Sequence, residues 1–262
     1  MDYQHLTLAV DGRLAVVRLA RPAARNALSL ALMRELLHVA RALGERTDVD
    51  VVLLTGDGSC FSAGADLRDP GRWGEGEQPL VQRREVASLG YRMCRAWEQM
   101  QSITIAAIEG YAVGGGLALV LACDWRVLAE DAFVSLPEIA LGIPLTWGTL
   151  GRLTALVGPA RAKRLTILCE RIGAPQAQAI GLVDELAPKG GAFAAARGLA
   201  DRTLAMPSAS VRMSKETIDA CATALHHAAG HMAHDQLLLA AMTPESQAAR
   251  AAALKRRAEG AR

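Results

Sequence analysis

Two short apolar runs, Asp50-Val-Val-Leu-Leu-Thr55 and residues 103–108, each lead into a turn built of small residues. The first turn reads Phe61-Ser62-Ala63-Gly64-Ala65-Asp66-Leu67 and the second Glu109-Gly-Tyr-Ala-Val-Gly-Gly-Gly-Leu117. Runs of this length and make-up are typical of strands buried on both faces, and such strands belong to parallel sheets covered by helices. A small-residue turn at a helix start leaves backbone N–H groups without intrahelical partners and aimed outward. Two such turns facing each other would supply a pair of donors for a developing oxyanion. Either turn alone is equally explained by close packing of a helix on a strand.

Elsewhere the patterning keeps to the same α/β plan. Residues 3–10 and 13–20 read as a hairpin around Asp11-Gly12. From the N-cap Ser29, residues Met33, Leu36, Leu37, Ala40 and Leu43 recur at helical spacing until Gly44. Residues 56–76 hold six glycines, Pro70 and several acids, and predict a mobile loop around a short helical turn. A helix is expected over 80–101, an apolar helix opening at Gly114–Gly116, strands at 124–128 and 132–135, and mostly helix from 147 onward. Met206-Pro207-Ser208 is the expected hinge between a core, 1–206, and a C-terminal helical subdomain, 207–262.

Composition narrows the class. At 51% hydrophobic and 21% charged, the 262-residue chain is neither disordered nor collagen-like, and its core must be mostly aliphatic, because it has only three Phe, four Trp and three Tyr. Lys plus Arg (29) nearly balance Asp plus Glu (27), which argues against a nucleic-acid partner. The exception is the basic stretch Arg250 to Arg262, read as a solvated helix end or a contact for a phosphate-bearing ligand. Five cysteines without CxxC spacing imply reduced thiols, and the first residues carry no basic or apolar leader, so a cytoplasmic protein is expected. Residues 99–123 approach membrane-spanning length, but Glu109 in the middle and three consecutive glycines favour strand-turn-helix over membrane insertion.

Other candidates for chemistry are few. No Gly-Lys-Ser/Thr follows the glycines, and Ser62 lies outside any GxSxG elbow. Glu138 follows Pro137 within an apolar stretch; burial would tune it toward a general base, whereas a helix-terminal role is the plainer explanation. His226, His227, His231 and His234 cluster, with an exposed polar face favoured over metal binding, so no metal or separate cofactor is expected.

Taken in order, Arg21-Pro22 with Asn26-Ala27-Leu28, the turn Phe61–Leu67, Gly110 to Gly116, Pro137-Glu138 with Gly142, Arg152-Leu153, Ala179 to Val183 and Met213-Ser-Lys215 resemble the crotonase (enoyl-CoA hydratase/isomerase) family over nearly the whole chain. The resemblance implies a spiral of ββα units with a helical C-terminal region, assembled as a homotrimer or a dimer of trimers. It also implies an acyl-CoA thioester substrate, with CoA as part of the substrate. The thioester carbonyl would accept hydrogen bonds from the N–H groups of Ala65 and Gly115. Ala63, Gly64, Asp66 and Leu67 would line the substrate, the loop bearing Arg25 and Ala27 would curl around the CoA adenine end, and Trp147 with Leu145 would shape or shorten the acyl pocket. Hydratases of the family carry two glutamates. Glu138 matches one, but the other falls at Ala118. A single carboxylate suits a proton shuttle between C2 and C4, as in isomerases. Hydration remains the alternative, with Asp66, Asp69, Glu75, Glu77 or Glu85 as substitute acid. A non-catalytic acyl-CoA-binding subunit is the third reading.

Overall fold

Local signals set the first elements of the computed structural model, which describes residues 2–73, 79–224, 230 and 232–259. Strands β1 (Leu6–Asp11) and β2 (Leu14–Leu19) form the expected antiparallel hairpin, turning at Gly12, whose φ of 55° suits a residue without a Cβ. Ser29 caps α1 (Leu30–Gly44) by accepting the Leu32 amide at 3.2 Å. The run after Asp50 forms β3 (Val51–Gly56), and the run from Ile103 forms β4 (Ile103–Ile108), which is buried at every position.

Between them lie a short α2 (Pro70–Trp73) and α3 (Leu80–Glu98), which ends three residues earlier than the periodicity implies. The second turn contains a strand that its glycines conceal, β5 (Tyr111–Val113), before α4 (Gly115–Val120). Strands β6 (Trp125–Ala129) and β7 (Phe133–Ser135) each start one residue later than read. Helix α5 (Thr149–Ile167) is broken at Gly158, which precedes Pro159. Two strands, β8 (Ile172–Gly173) and β9 (Glu185–Ala187), flank α6 (Ala174–Ala179) in a region expected to be mostly helical, with a break at Leu182-Val183. They are too short to show a period, so only pairing with their neighbours defines them. Helices α7 (Ala192–Leu204), α8 (Ser208–Thr223), α9 (Ala233–Ala241) and α10 (Pro244–Glu259) complete the chain, with Pro207 between α7 and α8.

One sheet has the order β1-β2-β3-β4-β6-β9, parallel from β2 onward, and a smaller one the order β5-β7-β8. Helix α1 packs on α3, and α7 covers β3, β4 and β6. The core is aliphatic, joined by Trp97 and Phe61, both fully buried. Cys60, Cys94 and Cys123 are buried as free thiols, and burial pushes Cys94 and Cys123 up to about 12. Cys169 is half-buried and Cys221 exposed. No described helix is long and apolar enough to cross a membrane.

Ion pairs under α8 fasten it to the sheet. Arg212 reaches Asp50 at 3.0 Å, and the Lys215 ammonium meets Asp124 at 2.5 Å and the Ser102 carbonyl at 2.9 Å. Beside them, burial pushes Asp219 up to about 6, with Asp124 and Glu98 adding to the rise and Lys215 opposing it. A carboxyl raised in the folded state binds a proton there that the unfolded chain has already released. Asp219 therefore erodes stability as pH rises from 3.8 to about 6. Asp219→Asn should raise the melting temperature at pH 7 and flatten that part of the profile; melting curves across the window would show an unchanged slope if the assignment is wrong.

Candidate active site

The first turn is held by side-chain bonds to the Arg21–Leu28 loop. Buried Asn26 donates through Nδ2 to the Asp57 and Cys60 carbonyls at 2.8 and 3.0 Å, and the Arg21 amide donates to its Oδ1 at 3.0 Å. Ser62 Oγ donates to the Asn26 carbonyl at 2.8 Å and accepts the Gly64 amide at 3.1 Å, an assigned structural role. Beyond it, the Leu28 amide donates to the Gly64 carbonyl and the Asp66 amide to the Leu28 carbonyl, at 2.8 and 3.1 Å. In an extended segment successive residues direct their polar groups to opposite edges. With both flanking groups committed to Leu28, the N–H of Ala65 faces away from Leu28.

The second turn meets it closely. A Cβ at Gly64 would lie 2.5 Å from the Val113 carbonyl oxygen and 3.4 Å from the Gly115 nitrogen. Likewise, a Cβ at Gly115 would lie 3.4 Å from the Ala65 nitrogen. Gly114, at φ 53°, turns the chain into α4, so that Gly115 opens the helix, where an N–H has no intrahelical acceptor. The two backbone donors singled out in the sequence thus stand side by side.

Glu138 reaches the same place from β7. Pro137 precedes it, its carbonyl accepts the Leu141 and Ile143 amides at 3.0 and 2.9 Å, and Gly142 at φ 68° ends the short helical turn. Its carboxylate lies against Gly114, where a Cβ would come 2.5 Å from Oε1. These parts line one pocket, together with Leu141, Ile143, Pro144, Leu145, Trp147 and Leu237. Its walls are apolar apart from Glu138, Thr146, Thr149 and exposed backbone. A carboxylate in such a lining is suited to moving a proton at carbon.

Of the residues named from the sequence, Ala63, Gly64, Ala65, Leu67, Gly115, Glu138 and Trp147 line this pocket, and so does Ala118, which is 1% exposed. Arg25, Ala27 and Asp66 do not. Arg25 is exposed, and Asp66 is ion-paired with Arg21 at 3.1 Å. Neither Asp69 nor Glu85 lines the pocket: Asp69 accepts the Leu30 and Gly71 amides at 2.7 and 3.0 Å, and Glu85 pairs with Arg92 at 2.7 Å. Glu75 and Glu77 lie outside the described residues, as do His226, His227, His231 and Arg262. Among the described residues no group of three His, Cys, Asp or Glu is placed to hold a metal ion.

Leu237 had no signal in the sequence. It belongs to α9, which packs on α3 and is tied there by Arg84 to Asp235 at 2.6 Å. Helix α10 seats Ser246 on Gly142, its Oγ donating to the Gly142 carbonyl at 2.6 Å. The C-terminal helices therefore close over this chain's own pocket.

A family model described as enoyl-CoA hydratase/isomerase matches residues 10–258. Crotonyl-CoA hydratase of Syntrophomonas wolfei is 34% identical over 216 residues, covering 82% of this chain and 81% of that one. An enoyl-CoA hydratase structure from Bacillus anthracis is 32% identical, covers 90% of each chain and superposes with a TM-score of 0.78. Another, from Mycobacterium avium subsp. paratuberculosis, covers 97% of each chain with a TM-score of 0.87 at 24% identity, a likeness of fold.

Proposed function

The chain belongs to the enoyl-CoA hydratase/isomerase, or crotonase, family, and from that premise we propose that it moves the double bond of an enoyl-CoA thioester between the 3 and 2 positions. The observation that carries this reading is Glu138, the lone carboxylate among the described residues lining the pocket, beside two adjacent backbone amides, with Ala118 where the resemblance places a second glutamate. The Ala65 and Gly115 N–H groups would donate to the thioester carbonyl and stabilise the enolate oxygen, each contributing on the order of 3 kcal/mol. Glu138 would take the proton from C2 and return it to C4, so the proton count closes without water. No metal or separate cofactor enters. Ala63, Gly64 and Leu67 would bound the thioester, and the loop with Arg25, Ala27 and Asp66 would serve the CoA end.

Hydration is the second reading, favoured by the names of relatives such as the Syntrophomonas wolfei enzyme. It asks for a second group to manage the added water, and Ala118 cannot hold a proton. The assembly proposed is a homotrimer or a dimer of trimers acting in the cytoplasm, with exposed Met213, Ile218, Leu150 and Ile167 as apolar surface available for contact between copies.

Purified protein should convert a 3-enoyl-CoA to the conjugated thioester, read as a gain in its absorbance. Loss of absorbance from a 2-enoyl-CoA would instead establish hydration, and tight binding with neither change would establish a non-catalytic acyl-CoA binder. Ala118→Glu should raise hydration by on the order of 10²-fold, the lower end of a general acid–base contribution. No gain in a folded variant would remove the missing carboxylate as the reason.

A further inference from the structure

Trp147 occupies the left-handed region at φ 62°, immediately before Gly148 at φ 72°. A bulky residue rarely adopts that conformation and keeps it only when its surroundings over-determine it. Here they do. Arg152 Nη1 donates to the Trp147 carbonyl at 2.8 Å, and the same guanidinium forks onto Glu98 at 2.6 and 2.9 Å. The pair is only 5% and 12% exposed, so the fork is shielded from water.

The indole has a matching seat. A Cβ at Gly115 would lie 2.5 Å from Cζ3 and 2.6 Å from Cη2, so one edge of the ring rests on the backbone of the carbonyl-binding turn. Its five-membered ring rests on Gly90 of α3, where a Cβ would overlap Cε2, Nε1 and Cδ2. Glycine is disfavoured in a helix interior, and here close approach of the ring accounts for it. Trp147 is 4% exposed, and its ring spans the space between α3 and α4.

We infer that the Trp147 indole is the end stop of the acyl pocket, that the Glu98–Arg152 pair is its positioning brace, and that the substrates are short-chain acyl thioesters. This rests on the crotonase reading for which end of the ligand enters. With the thioester oxygen at Ala65 and Gly115, an acyl chain passing Glu138 and Ala118 meets the indole. Leu145 and Leu237 close the sides. Medium and long chains would have to displace a ring wedged between two helix backbones.

The test uses the whole protein and its Trp147→Ala and Trp147→Phe variants. Calorimetry gives the affinity for butyryl-CoA and decanoyl-CoA, and turnover is read with short and long enoyl-CoAs in parallel. The native protein should favour the short chain by more than tenfold, since a single misfitted methylene is worth about 10–200-fold. Trp147→Ala should shift that ratio toward the long chain by tenfold or more, and Trp147→Phe, which keeps an aromatic ring if the smaller side chain misfolds, should shift it by less. A native protein preferring decanoyl-CoA, or a ratio unmoved in the folded variants, overturns the end stop. Because saturated thioesters report length without chemistry, absent turnover with an intact length preference would defeat the catalytic reading and uphold the stop.

Discussion

Glu138→Gln should lower kcat by about 10²–10⁴-fold, the usual contribution of a positioned acid or base. The amide is nearly isosteric, so the contact with Gly114 and the two amides accepted by the backbone carbonyl of residue 138 should persist. Acyl-CoA affinity and melting temperature should therefore change little, which separates a chemical loss from a structural one. The magnitude follows from the pocket lining, which offers no second carboxylate among the described residues to share the proton. Full activity in a folded Glu138→Gln protein would show that the proton is handled elsewhere, and the site assignment would fall with it.

The largest stability loss is expected at the opposite side of the molecule. Lys215→Met leaves Asp124 with only Thr104, whose amide and hydroxyl donate to Oδ2 at 2.7 and 2.9 Å, and removes the cation 2.5 Å away. Breaking one partner out of a buried pair costs about 3 kcal/mol, because the remaining charge stays desolvated. For a chain of this size that is roughly 6–12 °C in melting temperature. Asp124→Asn in the same background should recover part of the loss by removing the stranded charge. A fall of less than about 1 °C in Lys215→Met would mean that α8 is not anchored through this pair. Because α9 follows α8 and carries Leu237 into the pocket, activity should fall along with stability.

The local features of the fold were readable in the chain because each is decided within a few residues. The Asp11-Gly12 turn, the Ser29 cap, the apolar runs of β3 and β4 and the glycines that turn into α4 all depend on near-neighbour periodicity or on φ. β5, β8 and β9 were not readable, since two- and three-residue strands carry no period and exist only through pairing. The ordered motifs were enough to assign the family.

Packing decided the rest. Asp66 and Asp69 looked available as acids until Arg21 and the first amide of α1 claimed them, contacts made across 45 and 39 residues of chain. Gly90, inside the helix expected over 80–101, is the notch for an indole from the segment before α5. Leu237 joined the pocket only because α9 folds back on α3. Spacing along a chain determines which groups one element presents on one face. Which groups from different elements share a few ångströms of space is determined by how those faces pack, and for this protein that includes the capture of Asp66 and Asp69 away from the pocket and the meeting of Glu138, Trp147 and Leu237 within it.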